Sequence, residues 1–277
     1  AGQVVSQNPA AGALVAPGSA VDVVISKGPS TFVPDVTWML PATAESALTG
    51  AGLVVGTVTQ ANSNTVPAGQ VVSQNPAAGA EVAAGSAVDY VVSLGSAPVN
   101  VPDAALAAAI RSTLGLAADT PLTGANLLSL TSLNGNNQGI ADLTGLEHAL
   151  NLSGLYLAND AVTDLTPLAG LTNLTVLGLH NNQVTDLTPL AGLVNMVELY
   201  LQSNQITDVT PLSGLSTLLV LDLGVNQIVD VAPLSGLTGL TELDLFDNQI
   251  VDVTPLSGMT GLAILSLYTN QIADVAP

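Results

Sequence analysis

The chain has 277 residues, 48% of them hydrophobic, with 21 acidic side chains against two basic ones, Lys27 and Arg111, and no cysteine, for a formal net charge of -19. That balance excludes a nucleic-acid partner, which needs Lys and Arg to neutralise phosphates, and adsorption to anionic lipid by charge. It also excludes disulfide frameworks, thiolate chemistry and cysteine-based zinc sites, and the longest apolar runs fall far short of the ~20 residues that a membrane-spanning helix needs. The acidic excess favours solubility; a salty habitat or a GC-rich genome accounts for it as well as a function does.

Reading from the N-terminus, Gly2-Gln3-Val4-Val5-Ser6-Gln7-Asn8-Pro9-Ala10-Ala11-Gly12 recurs as residues 69–79, and Gly18-Ser19-Ala20-Val21-Asp22 recurs as residues 85–89. Residues 1–29 therefore read as the second half of a unit that is seen whole over 30–96. In the whole unit, Val33-Pro34-Asp35-Val36 reads as a short strand entry. Pro41 opens a helix with Ala44, Ala47, Leu48 and Ala51 on one face, and Gly52 stops it. Alternating β-runs follow near Leu53–Thr59 and Gln70–Ser73, then a turn at Asn75–Gly79 and a last strand at Ala87–Ser93. Tyr90 falls on the core face of that strand. Trp38, between Thr37 and Met39, fits either packing or an exposed apolar patch.

This order of elements resembles the PASTA domain, half of one over 1–29 and a complete one over 30–96. The resemblance implies small α+β modules outside bacterial cells, some of which bind cell-wall muropeptides while others act as spacers. Trp38 stands where that family usually has a small residue. The scarcity of Lys and Arg leaves no evident partner for muropeptide carboxylates.

A second repeat begins near residue 97. Asn recurs at 182, 204, 226, 248 and 270, with Asp160 and Gln138 at the two preceding steps of 22. Each Asn closes the frame Leu-x-x-Leu-x-Leu-x-x-Asn-x-Val/Ile, as in Leu174, Leu177, Leu179, Asn182 and Val184. Leucines alternating on a short strand point inward and are buried only against neighbouring coils, so such units must stack. The Asn amide can donate to and accept from the turn backbone, which a Leu cannot. In the following Thr-Pro-Leu-x-Gly-Leu segment, Thr is expected to cap, Pro to take the first position of a single helical turn, and Gly to allow the return. Ahead of the repeats, Asp103 is expected to cap a helix carrying Leu106, Ala109, Ile110 and Leu114, ended by Gly115, and Thr123 to start a second.

This frame resembles the internalin-like class of bacterial leucine-rich-repeat proteins, whose members are generally secreted or surface-attached and bind other proteins through the concave sheet. The expected fold is thus PASTA-like α+β modules followed by a leucine-rich-repeat solenoid, with short parallel strands on its concave face and short helical or 3-10 turns on its convex face. Residues 97–130 form its helical N-terminal cap and 131–277 its repeats. The chain begins inside one repeat and ends at Pro277 inside another, without a C-terminal cap or a visible signal peptide, so both ends are expected to be truncated.

Chemistry has few places to sit. Asp142, Asp164, Asp186, Asp208, Asp230, Asp252 and Asp274 recur every 22 residues. On coils ~5 Å apart, neighbours repel by ~0.8 kcal/mol in water before screening. A calcium ladder would use such a row. The Gly-Gly-x-Gly-x-Asp pattern of calcium-binding β-rolls is missing, and turn carboxylates accepting backbone N–H groups are the favoured reading. His148 and His180 are too few for a zinc site, with His148 expected on the solvated convex side. No residue is assigned to catalysis, to a cofactor or to a metal.

The functional candidate is the concave face, at positions flanking the inward leucines: Tyr156, His180, Glu198, Tyr200, Asp222, Glu242, Asp244, Phe246 and Tyr268, with Asp247 beside them. Four of the seven aromatics in the chain fall here; aromatics favour both strands and interface hot spots. An acidic, aromatic face suits a protein partner with a basic or glycosylated surface. The expected function is a non-catalytic binding module, extracellular, on the bacterial surface or secreted, with no nucleic acid bound and no membrane insertion. The alternatives are peptidoglycan attachment through the PASTA part with the repeats as spacer, or an arm of a larger wall enzyme or receptor kinase.

Overall fold

The structure, a computed structural model, describes residues 2–26 and 28–274; Lys27 and the final Pro277 lie outside the described residues. It divides into two compact units, Ala1–Ala97 and Pro98–Pro277.

In the first unit, β1 (Val4–Asn8) and β2 (Asp22–Ile25) pair antiparallel as a separate hairpin. The whole module follows: β3 (Ser30–Phe32), α1 (Pro41–Gly50), β4 (Val54–Ala61), β5 (Val71–Asn75), β6 (Glu81–Ala83) and β7 (Ala87–Ser93). β7 is central, parallel to β4 and antiparallel to β5, and β3 pairs with β6. Helix α1 starts at Pro41 because proline has no N–H to lose there. It ends in a Schellman motif: Gly52 (φ +73°) donates to Thr49 O and Leu53 donates to Leu48 O. Leu53 and Leu48, which such a motif brings together, are both buried. Ala44 and Leu48 pack with Val71, Val88, Tyr90 and Val92 into one core, and the Tyr90 hydroxyl donates to Glu45 Oε1.

One expectation for this unit changes, and one alternative left open by the sequence is resolved. Val33-Pro34-Asp35-Val36 is not strand: β3 stops at Phe32. Pro34 cannot donate to a ladder, and Asp35 Oδ1 accepts the Thr37 N–H at 2.9 Å, closing a turn that sends Val33 and Val36 into the core. Trp38 is exposed with φ +63°, its N–H bonded to Val71 O. This left-handed backbone favours a residue without Cβ, which is the physical reason for a small residue at this place.

The second unit opens with α2 (Ala104–Thr113), capped by Asp103, whose Oδ1 accepts the Ala105 and Leu106 N–H groups at 2.9 Å. Its other oxygen accepts Ala141 and Asp142 N–H, tying the cap to the first coil. Thr123 caps α3 (Gly124–Leu128) in a capping box with Asn126. Leu106, Ile110 and Leu127 close the end of the repeat core.

Among the described residues, seven three-residue strands then stack in parallel and in order: β8 (Ser132–Asn134), β9 (Gly154–Tyr156), β10 (Val176–Gly178), β11 (Glu198–Tyr200), β12 (Val220–Asp222), β13 (Glu242–Asp244) and β14 (Ile264–Ser266). Register is exact in steps of 22, with Leu177, Leu199, Leu221, Leu243 and Leu265 side by side. The buried asparagines form a second spine. Asn204 Nδ2 donates to Leu179 O and Leu201 O at 2.9 Å, and its Oδ1 accepts Val184 N–H. Each amide thus joins two coils and satisfies groups that the strand end leaves unpaired.

Single 3-10 turns such as Thr188–Leu190 return the chain on the convex side. Contrary to the expectation from sequence, Thr is not their cap. The preceding Leu187 holds that place without a side-chain bond, and Thr188 donates its N–H to Asp186 Oδ1 at 2.8 Å. Thr already belongs to the turn, so its N–H is the orphan donor, and the Asp two residues earlier reaches it.

Candidate concave binding face

Each strand presents its central leucine to the core and its two flanking residues to the open side of the sheet. Three columns result. Glu198 and Glu242 lie in the first, Tyr156, Tyr200, Asp222 and Asp244 in the second, and His180, Gln202, Gly224, Phe246 and Tyr268 in the third, two residues beyond the strand end. All nine residues expected from the sequence lie in these columns. The strand frame puts them there, since a one-residue shift would carry the leucines out of the core.

Within the columns, particular side chains meet. The Tyr200 hydroxyl donates to Glu198 Oε2 at 2.9 Å. Burial, then that hydrogen bond and the Glu198 charge, with Glu242 and Tyr156 adding, push the Tyr200 phenol up to about 12. Asp222 is register partner to both Tyr200 and Asp244. Burial pushes its carboxyl upward, reinforced by the Asp244 and Glu242 charges and opposed by the Gly224 N–H bond and by His180. Phe246 and Tyr268 stack with ring centroids 4.8 Å apart and planes 12° from parallel. Asp247, on the rim, has φ +53° and is exposed.

Sequence reasoning missed Gly224. A Cβ there would collide with the Phe246 ring, so this glycine is what lets the ring lie down over the preceding coil. The available signal was a glycine at the column position one repeat before an aromatic.

Other candidates resolve into structure. Asp142, Asp164, Asp186, Asp208, Asp230 and Asp252 each accept the N–H two residues ahead at 2.8 Å. The Thr hydroxyls and then those N–H bonds hold the carboxyls of Asp164, Asp186 and Asp208 below their usual range, and at Asp252 the N–H bond leads and the hydroxyl follows. His148 sits exposed in the turn Leu146–His148, 3.8 Å from Glu147. Among the described residues, no group of three His, Cys, Asp or Glu is placed to hold a metal, and no helix is long and apolar enough to cross a membrane.

Comparison with known proteins matches the PASTA domain family over residues 1–27 and 31–93. Leucine-rich repeats match in overlapping windows from 150–192 to 238–277. The chain is 38% identical over 103 residues to a probable serine/threonine-protein kinase of Corynebacterium efficiens, and 36% identical over 104 residues to the probable serine/threonine-protein kinase PknB of Corynebacterium glutamicum. These stretches cover 36% and 37% of this chain but 16% of each kinase, and they match the PASTA region, not the catalytic domain. The families matched are non-catalytic modules. Among solved structures, an internalin (inlF) from Listeria monocytogenes aligns with TM-score 0.55 and 33% identity, covering 65% of this chain and 61% of that one. An internalin C2 (inlC2) from the same species aligns with TM-score 0.53 and 39% identity, covering 64% and 88%.

Proposed function

The chain belongs to the internalin-like leucine-rich-repeat proteins, with PASTA units ahead of the repeats, and from that premise we propose that it is a non-catalytic module that binds a protein partner through the concave sheet. The observation that carries this reading is the stacked Phe246–Tyr268 pair on an uncovered sheet face, beside the carboxylates of Glu198, Asp222, Glu242 and Asp244. Aromatic side chains held on a rigid surface give large contact area at low entropic cost. Acidic side chains with no Lys or Arg beside them select a partner with a basic or glycosylated surface and speed its approach. The PASTA units and the internalin likeness support a place outside the bacterial cell, at its surface or secreted. The test is capture of surface proteins on the immobilised chain, comparing wild type with Tyr200→Ala/Phe246→Ala. The reading requires the variant to lose the wild-type partner; equal recovery rejects it.

A second reading is favoured by the match of both PASTA stretches and by their likeness to kinase PASTA regions. Here the N-terminal unit attaches to peptidoglycan and the repeats are a spacer, or the chain is a non-catalytic arm of a larger wall enzyme or receptor kinase. Co-sedimentation of the chain with purified peptidoglycan decides the attachment, and no pelleting over background removes it.

A further inference from the structure

We propose that the concave face holds a subsite for one arginine side chain of the bound protein, over the adjacent Asp222–Asp244 pair and bounded by the rings of Tyr200 and Phe246. The proposal rests on the concave-face reading and narrows the partner from basic or glycosylated to arginine-bearing.

Tyr200, Asp222 and Asp244 are consecutive register partners on β11, β12 and β13, so their side chains stand one strand spacing apart, ~4.8 Å. Phe246 lies over Gly224, two residues beyond Asp222, which brings an aromatic ring alongside the carboxylate pair. This patch of the sheet therefore has an acidic floor and two aromatic borders.

From within, the floor is offset only by the Gly224 N–H and by His180. The one basic residue of the second unit apart from histidine is Arg111, and its Nε donates to Thr120 O in the cap. Among the described residues, no ion pair reaches Glu198, Asp222, Glu242 or Asp244. Asp222 Oδ1 accepts the Gly224 N–H at 3.0 Å, and among the described residues no hydrogen bond reaches the Asp244 carboxylate. Burial together with the Asp244 and Glu242 charges disfavours the Asp222 carboxylate more than the Gly224 N–H and His180 favour it, and an arriving cation relieves that repulsion. A glycan fits less well. Its hydroxyls need donors as well as acceptors, whereas the carboxylates only accept and the Tyr200 hydroxyl is already directed to Glu198.

Arginine is preferred to lysine on geometry. Two carboxylates side by side match the forked donors of a guanidinium, and its flat faces stack on aromatic rings where an ammonium is a point charge.

The test is selection of random peptides displayed on phage against the full chain, with affinities then measured by fluorescence polarisation. The expected result is an arginine common to the selected peptides. Its replacement by alanine weakens binding about tenfold or more and its replacement by lysine less, and Asp222→Asn/Asp244→Asn costs about tenfold or more. Asp222→Asn keeps the acceptor for the Gly224 N–H. Asp244→Asn alone preserves the test if the other substitution unsettles its coil. The proposal is overturned if no peptide is selected, if the peptides lack arginine, or if arginine peptides bind the Asn variants as well as wild type. Arginine-free peptides that are lost with Tyr200→Ala/Phe246→Ala would reject the arginine subsite while leaving the concave-face reading standing.

Discussion

The hairpin of residues 2–26 and the matching part of the whole PASTA module share an identical run of eleven residues, Gly2–Gly12 and Gly69–Gly79, yet differ in burial. Val4, Val21, Val23 and Ile25 are 50–57% exposed, while their counterparts Val71, Val88, Tyr90 and Val92 are 0–8% exposed. Both copies form the same antiparallel pair, with Asn8 opposite Asp22 in one and Asn75 opposite Asp89 in the other. Local sequence is thus enough for the strands and turn, whereas a core exists only where α1 and β4 lie against them. The repeats teach the same lesson in the first and last described coils. The first coil is covered by α2 and α3, while in β14 Ile264 and Leu265 are exposed although the equivalent Leu243 is fully buried.

The largest expected effect comes from moving one change between covered and less covered coils. Leu221→Ala should cost about 3 kcal/mol or more, because the removed atoms leave a cavity between two packed coils. Leu265→Ala should cost about 1 kcal/mol, since half its transfer gain is already missing. Urea unfolding of each variant measures this, and equal losses would mean that coils do not depend on their neighbours. Next in size, Val88→Ala should cost about 2 kcal/mol and Val21→Ala under about 0.5 kcal/mol. A comparable loss at Val21 would show that the hairpin is covered in solution.

Uncovering the capped end gives a smaller, pH-dependent effect. Burial pulls the Asp103 carboxyl upward, but N–H bonds from Ala141, Leu106, Asp142 and Ala105 outweigh it and hold the group below its usual value. The folded value lies below the unfolded one, so this stabilisation is present above pH ~3.9 and lost as pH falls through the folded value. Asp103→Ala should therefore cost about 1–2 kcal/mol at neutral pH and progressively less in acid. Hydrogen exchange of the Ala141 and Asp142 amides reads it directly. A pH-independent loss would assign the effect to packing.

The repeat period, the Asn spine and the Asp103 cap were legible because each is a local motif copied at fixed spacing. The positions of the concave residues were legible for the same reason, since the frame dictates which side chains leave the core. What was not legible depends on partners distant in sequence or on one-residue offsets. Val33 and Val36 alternate in a way that suits a strand, but Pro34 and the Asp35–Thr37 bond make a turn of them. Thr188 has the composition of a cap and sits one place too late to be one. Gly224 matters only through a ring 22 residues away.

The last comparison changes the side chain at one place of the Asn spine. At 182 the amide Nδ2 donates to Leu157 O and Leu179 O, at 2.7 and 3.0 Å. One coil earlier the residue is Asp160. Its Oδ1 does the accepting half of the work, taking N–H bonds from Gln138, Gly139 and Ile140. Its Oδ2 is buried without a hydrogen-bond partner. The carbonyls one repeat back are those of Gly135 and Leu157, and toward them a carboxylate oxygen has nothing to donate. A second donor on Leu157 O is no obstacle, because Leu179 O already takes bonds from both Asn182 and Asn204. Asp160→Asn should therefore supply the missing donor and raise stability by about 1 kcal/mol. Slower exchange of the Ile140 amide and a higher urea midpoint would bear this out. A neutral or destabilised variant would mean that three N–H bonds to a carboxylate outweigh two new bonds from an amide, and that the spine tolerates Asp for its acceptor strength.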